Sequence, residues 1–299
     1  MKKVLITIPL LLLLLTGCKE NVKQYRFEYP HIPSVIQEKS EQREYLSLHF
    51  WDNLPWDDST VNITEKHLRI PYYEYLELIN DLGVLKAGKL LNDLASKSSQ
   101  STPSISSAFL ILFEESLNHP NSPMRHDALY LNVVDAYIQY FPADSEERKR
   151  LIEEREILLK NRIGEISEDF TILFSDGSSS NLHNIKSDYT LILFFEPDCN
   201  ACKESISFAE NSAIIKKFQE RYISLAIYTG NDSYYLERGG SLFSKKWRVG
   251  SDLNSMITRE RLYDRRASPS VYLLDKDKKV LLKDGDIETA EKIIEKNIN

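Results

Sequence analysis

Two cysteines three positions apart, Cys199 and Cys202, are the residues of this chain whose types and spacing could do chemistry. A thiolate attacks a disulfide sulfur, so the attacking cysteine must be ionised and reachable. The run Tyr189–Phe195 before the pair, apolar but for Thr190, predicts a central strand. From Ala201 to Glu220 the spacing of Ile206, Phe208, Ala209, Ala213, Ile214 and Phe218 predicts a helix. Cys199 therefore falls at a strand end and a helix start, where the unpaired N–H groups of the first turn favour a thiolate. Cys202, one turn on, is near enough to attack a mixed disulfide from within. A zinc site would need about four ligands, and the chain has no second cysteine pair. No metal and no cofactor is expected. A stable structural disulfide is the plain alternative, although such a short loop is strained.

The third cysteine, Cys18, has a different setting. Lys2 and Lys3 precede an apolar run, Val4 to Leu15, followed by Leu15-Thr16-Gly17-Cys18. At about 12 residues the run is too short for a bilayer core that needs roughly 20. The segment resembles the lipobox of bacterial lipoproteins. That resemblance implies cleavage before Cys18, diacylglycerol on its sulfur, and a lipid bilayer as a partner, since two or more acyl chains anchor stably. The expected location is the cell envelope.

After Gly164 the elements alternate. Phe170 to Phe174 reads as a strand, Asp176-Gly177 as a turn, and Ser180 to Ile185 as a return segment. Tyr222 to Tyr228 is a further strand, Ser270–Leu274 and Val280–Leu282 a hairpin, and Ile287 to Ile298 a closing helix. Strand, Cys-x-x-Cys, helix, strand and a proline opening a hairpin is an order that resembles the thioredoxin fold. The early hairpin is similar to the branch holding TlpA-type lipoproteins and the alkyl hydroperoxide reductase group. The resemblance rests on Phe194-Phe195-Glu196-Pro197-Asp198-Cys199-Asn200-Ala201-Cys202 and on Ala267-Ser268-Pro269-Ser270-Val271-Tyr272. It implies that Pro269 is the cis-proline of the fold and that Ser268 offers backbone groups to an extended substrate segment.

Several positions depart from that pattern. Asp198 replaces the usual Trp before the first cysteine, and Asn200-Ala201 replaces Gly-Pro. Leu193 stands where thioredoxin has a buried Asp, which makes Glu196 the candidate substitute as proton acceptor. Asp198, Glu196 and Lys203 are thus the candidates for tuning the sulfurs, with solvent exposure as their plainer role. A peroxiredoxin would need Thr or Ser three residues before its cysteine and Pro seven before. Those places hold Glu196 and Ile192 ahead of Cys199, and Cys199 and Phe195 ahead of Cys202.

From Tyr25 to about Arg162 the apolar residues recur at helical steps, as in Tyr72, Tyr75, Leu76 and Ile79 and again in Val134, Tyr137, Ile138 and Phe141. Five or six packed helices are expected, with breaks at Pro55, Ser96–Pro103 and His119–Pro123. The histidines here (His31, His49, His67, His119 and His126) lack metal-binding spacing. His49-Phe50-Trp51-Asp52 and Asn121-Ser122-Pro123-Met124-Arg125 resemble an uncharacterised helical domain found ahead of thioredoxin-like domains in Bacteroidetes lipoproteins. That implies an architecture and no activity.

The composition, 42% hydrophobic and 28% charged, suits packed domains, and the net charge of −7 without a long basic run argues against nucleic-acid binding. The expected organisation is α+β in two domains. Residues 1–17 are the lipoprotein signal peptide and 18–24 a lipidated linker. An all-α domain of unknown role spans 25–162 and an α/β thioredoxin-like domain spans 163–299. The expected activity is that of a membrane-anchored thiol–disulfide oxidoreductase, reducing a protein disulfide and itself re-reduced by an upstream membrane reductant. A non-catalytic binding or scaffold module of a cell-envelope complex is the alternative. If Cys18 is the lipidated residue, Cys18→Ala accumulates as unprocessed precursor on a gel of cell fractions. A normally sized, membrane-bound Cys18→Ala product would overturn that expectation.

Overall fold

In the N-terminal half, the apolar steps close into α1 (Lys39–His49), α2 (Glu65–Asn80), α3 (Val84–Ser99), α4 (Pro103–Phe113), α5 (Asp127–Tyr140) and α6 (Glu146–Leu159). The computed structural model describes residues 25–196, 198–230 and 241–298. The expected leader, linker and Cys18 lie outside the described residues, as does Pro197 of the cysteine motif. α4 continues into one wide π turn, Glu114–Asn118.

Local chemistry sets the ends of these helices. Pro103 opens α4, where a missing N–H costs nothing. Ser145 caps α6 by accepting from the Arg148 N–H at 3.2 Å. The histidines take the same kind of role. The Thr64 N–H donates to His67 Nδ1 at 3.1 Å ahead of α2. The Leu129 N–H donates to His126 Nδ1 at 3.3 Å at the start of α5.

The core of this half is aromatic. Phe109 is fully buried, with its ring centroid 5.0 Å from that of Trp51 and 5.6 Å from that of Trp56. Buried tyrosines find partners for their hydroxyls. Tyr72 meets Ser116 at 2.7 Å, while Tyr137 donates to the Ser106 carbonyl at 3.0 Å.

The second half is a seven-stranded sheet, with β1 (Thr171–Phe174), β2 (Ser179–Asn181), β3 (Tyr189–Phe195), β4 (Tyr222–Tyr228), β5 (Trp247–Asp252), β6 (Ser270–Asp275) and β7 (Val280–Gly285) in the order β2-β1-β5-β4-β3-β6-β7. β3, β4 and β5 run parallel, and β6 lies antiparallel to β3. The two-residue period of a strand explains why β3 is apolar on both faces from Leu191 to Phe195. Leu191, Leu193 and Phe195 enter the core on one face, and Ile192 and Phe194 enter the core on the other.

α7 (Asn200–Asn211), α8 (Ala213–Lys217), α9 (Met256–Arg259) and α10 (Ile287–Ile298) complete this half. The helix expected over 201–220 is in fact two. The Ser212 hydroxyl accepts from the Ile215 N–H at 3.0 Å, which ends α7 and starts α8. Strand β5 was not among the expected elements. Its Gly250 interrupts the apolar pattern because β1 comes too close, and a Cβ there would lie 2.6 Å from Ile172 and 2.9 Å from the Leu173 carbonyl oxygen.

Each buried apolar cluster draws its residues from one half of the chain. The seam between the halves is polar. The Asn161 amide donates to the Leu262 carbonyl at 2.8 Å, and Lys283 Nζ meets Asp127 at 2.9 Å. Phe109→Ala should therefore destabilise the helical half by about 3–5 kcal/mol. Urea unfolding followed by tryptophan emission in a Trp247→Phe background, which leaves Trp51 and Trp56 as reporters, measures this. A cost below about 1 kcal/mol would mean that the aromatic cluster closes over the cavity.

Candidate functional site

Strand β3 ends at Phe195 and α7 begins at Asn200, so Cys199 closes this strand-to-helix turn and Cys202 lies in the first turn of α7. Cys199 is the N-cap residue of α7, with extended backbone, and its sulfur accepts the Cys202 N–H at 3.1 Å. That bond occupies one of the unpaired donors of the first helical turn with a sulfur rather than a hydroxyl. Cys199 is partly exposed, whereas Cys202 is fully buried. Cys202, Ile206 and Ala209 share the buried stripe of α7, which presses on the β3 face carrying Leu191, Leu193 and Phe195.

The second wall of the site comes from the loop before β6. In the β3–β6 register Phe194 faces Ser270, which brings residues 268–269 alongside the turn after β3. The Ser268–Pro269 peptide bond is cis. Cys199 Sγ lies 3.5 Å from the Ser268 carbonyl oxygen, and Cys202 Sγ lies 3.3 Å from Ser268 Oγ. Ser268 thus touches both sulfurs across 66 and 69 residues of sequence. The structure brings Cys199, Cys202, Ser268 and Pro269 together.

Burial is the main reason that the Cys202 thiol is pushed up to about 11, with the hydrogen bond to Cys199 adding to it. Ser268 and the backbone of Glu196 work in the opposite direction. Glu196 therefore acts on Cys202 through its main chain. Its carboxyl is raised by partial desolvation, against the charge of Arg265. Asp198 and Lys203 are exposed, and the Lys203 N–H donates to the Cys199 carbonyl at 3.3 Å as part of α7. Leu193 fills the position of the missing buried acid as an ordinary core residue.

Arg265 is a neighbour that sequence reasoning missed. Its guanidinium bonds the Thr229 hydroxyl and, at 2.9 Å, the Thr258 hydroxyl, while the charges of Glu196 and Asp252 act on it. No spacing signal could have found it, because those partners lie on four different segments. Among the described residues no group of three or more His, Cys, Asp or Glu could hold a metal ion, and no helix is long and apolar enough to cross a membrane.

Residues 15–161 match the model of a domain of unknown function (DUF5106). A thioredoxin-like protein from Bacteroides caccae is 28% identical, with a TM-score of 0.81 over 91% of this chain and 99% of that one. The C-terminal domain of an uncharacterised protein from Bacteroides fragilis is 34% identical, over 45% of this chain and 98% of that one, with a TM-score of 0.44. The thioredoxin domain of a thiol–disulfide oxidoreductase from Bacteroides vulgatus is 17% identical, over 46% and 99% of the two chains, with a TM-score of 0.41. None of the curated proteins matches this chain. The fold class is that expected, helical first and thioredoxin-like second.

The two thiols should differ in reactivity. In the reduced protein iodoacetamide modifies Cys199 first at neutral pH, and Cys202 follows only as the pH approaches about 11. Cys202 keeps its proton in the fold above its ordinary value of 9.0, so its ionisation works against folding. Its contribution to stability is intact below 9.0 and declines as the pH rises from there toward about 11. Peptide mass spectrometry across a pH series reads the order, and earlier labelling of Cys202 would reverse it.

Proposed function

We propose that this chain, whose C-terminal half has the thioredoxin fold, is a membrane-anchored thiol–disulfide oxidoreductase of the cell envelope. The observation that carries the reading is the placement of a partly exposed Cys199 at the start of α7. A buried Cys202 lies behind it, and the Ser268 carbonyl is 3.5 Å from the Cys199 sulfur. The thioredoxin-like relative from Bacteroides caccae supports a general redox role.

In the proposed reaction a substrate segment pairs with the backbone of the exposed residue Ser268, which brings its disulfide over Cys199. The Cys199 thiolate attacks one substrate sulfur, and the other leaves as a thiolate that takes a proton from water. The attack also removes the Cys199 thiol that had helped to keep Cys202 protonated. Cys202 then loses its proton and attacks the Cys199 sulfur, releasing the second substrate thiol. The substrate gains two electrons, and the Cys199–Cys202 pair becomes a disulfide. A dithiol reductant must restore the pair, and a membrane partner suits a chain held by lipid on Cys18. The lipid anchor, the envelope location and the division at residue 162 belong to this proposal, with residues 163–299 as the redox unit.

Insulin reduction in the presence of dithiothreitol tests it. The full chain should accelerate precipitation of the insulin B chain. Cys199→Ser should remove that acceleration entirely. Reduced Cys202→Ser, freed of dithiothreitol before it meets insulin, should stall as a mixed disulfide that survives on a non-reducing gel. A wild-type chain no better than Cys199→Ser would favour a binding module over an oxidoreductase.

A further inference from the structure

The polar seam between the two halves converges on the loop that carries Ser268 and Pro269. Arg125, in the loop before α5, pairs with Asp284 and, at 3.0 Å, with Asp264. The Arg125 side chain is 13% exposed, and those of Asp264 and Asp284 are 0% and 3% exposed. Asp264 also receives Arg266 at 2.7 Å, and the other end of Arg266 donates to Asn118 Oδ1 at 2.6 Å. The Asp264 carbonyl accepts from the Tyr272 hydroxyl at 3.0 Å, and the Ser270 hydroxyl shares its one proton between that carbonyl, at 3.1 Å, and Asp284. One network thus grips the loop on both sides of the cis bond, through Asp264 and Arg266 before it and Ser270 after it.

We propose that the helical half shapes the substrate-contacting loop, with Arg125 and Asn118 as positioning residues that act on the cysteines through Ser268. This rests on the reading of the cysteine pair as redox-active. Between the buried Asp264 and the buried Ser270 the loop offers the core little, since Arg266 and Ser268 are exposed. Its conformation must come from polar bonds. Charge-assisted bonds from a guanidinium fork fix direction as well as distance. Buried ion pairs give little net stability compared with apolar residues of the same volume. The network's contribution is therefore the geometry that it imposes. Without the helical half, Asp264 and Asp284 would lose Arg125 and keep only Arg266 between them.

The test uses the full chain with Arg125→Ala, Arg125→Lys and Asn118→Ala. Two quantities are read: amide hydrogen exchange of peptides spanning 262–271 against 189–195, and KM and kcat for insulin. In Arg125→Ala and Asn118→Ala, exchange in 262–271 should rise about tenfold while 189–195 stays protected. KM should rise about fivefold or more with kcat within about twofold, the mark of lost substrate positioning. Arg125→Lys should fall between wild type and Arg125→Ala. If Arg125→Ala does not fold, Asn118→Ala decides, because it removes one hydrogen bond and leaves the Arg266–Asp264 pair intact. Unchanged exchange and unchanged KM in a folded variant would overturn the proposal. An inactive wild-type chain would refute the redox reading alone, and the exchange of 262–271 would still decide whether the helical half holds the loop.

Discussion

The pairing of β3 with β6 is the constraint on which the site depends. Phe194 lies opposite Ser270, so the chain leaving β3 and the chain entering β6 emerge side by side at one end of the sheet. Cys199 then meets Ser268, although 69 residues separate them. A slip of one residue in this register would exchange the two faces of β3 and set Leu193 among the residues that Ile192 now contacts. The register is held by burial on both sides of the strand, where Leu191 and Leu193 serve one core and Ile192 and Phe194 the other. Chemistry at the strand end is therefore fixed by packing along the whole strand.

The helical half is joined to this sheet by a different kind of force. Its aromatic cluster is complete without the second half, and the two clusters of the second half are complete without the helical half. What crosses the seam is charge, in Arg125, Lys283, Asp264 and Asp284, all largely removed from solvent. An apolar seam of equal size would hold the halves together as well or better. A charged seam specifies one orientation, because a shifted Arg125 would leave the buried Asp284 without its cation and Asp264 with Arg266 alone. Burial pushes the Asp284 carboxyl up even with Arg125 beside it. At Asp264 burial is outweighed by Arg266 and Arg125, which hold that carboxyl below the usual range.

Much of the second half was legible in the sequence because its strands are buried on both faces. Apolar runs such as Tyr189–Phe195 and Tyr222–Tyr228, each broken by a single Thr or Ser, announce themselves, and the cysteine pair follows one of them closely. β5 was illegible because its Gly250 answers to the approach of β1 and not to any local pattern. The end of α7 was missed for a similar reason, since one hydroxyl at Ser212 overrides an apolar spacing that continues through Phe218. Asn121 to Arg125 stood out as a motif without a role, and its Arg125 has partners 139 and 159 residues away. Nor could the sequence tell that Glu196 would reach Cys202 by its backbone, with its carboxyl under the influence of Arg265.

The central claim is that Cys199 and Cys202 form one reversible two-electron couple. A glutathione redox titration of the full chain tests it most directly, with the thiol state read by alkylation and intact mass. The expected result is a single transition in which both cysteines lose alkylation together, fully reversed on reduction and absent in Cys199→Ser. A pair that stays dithiol under oxidising glutathione, or disulfide under reducing glutathione, would contradict it.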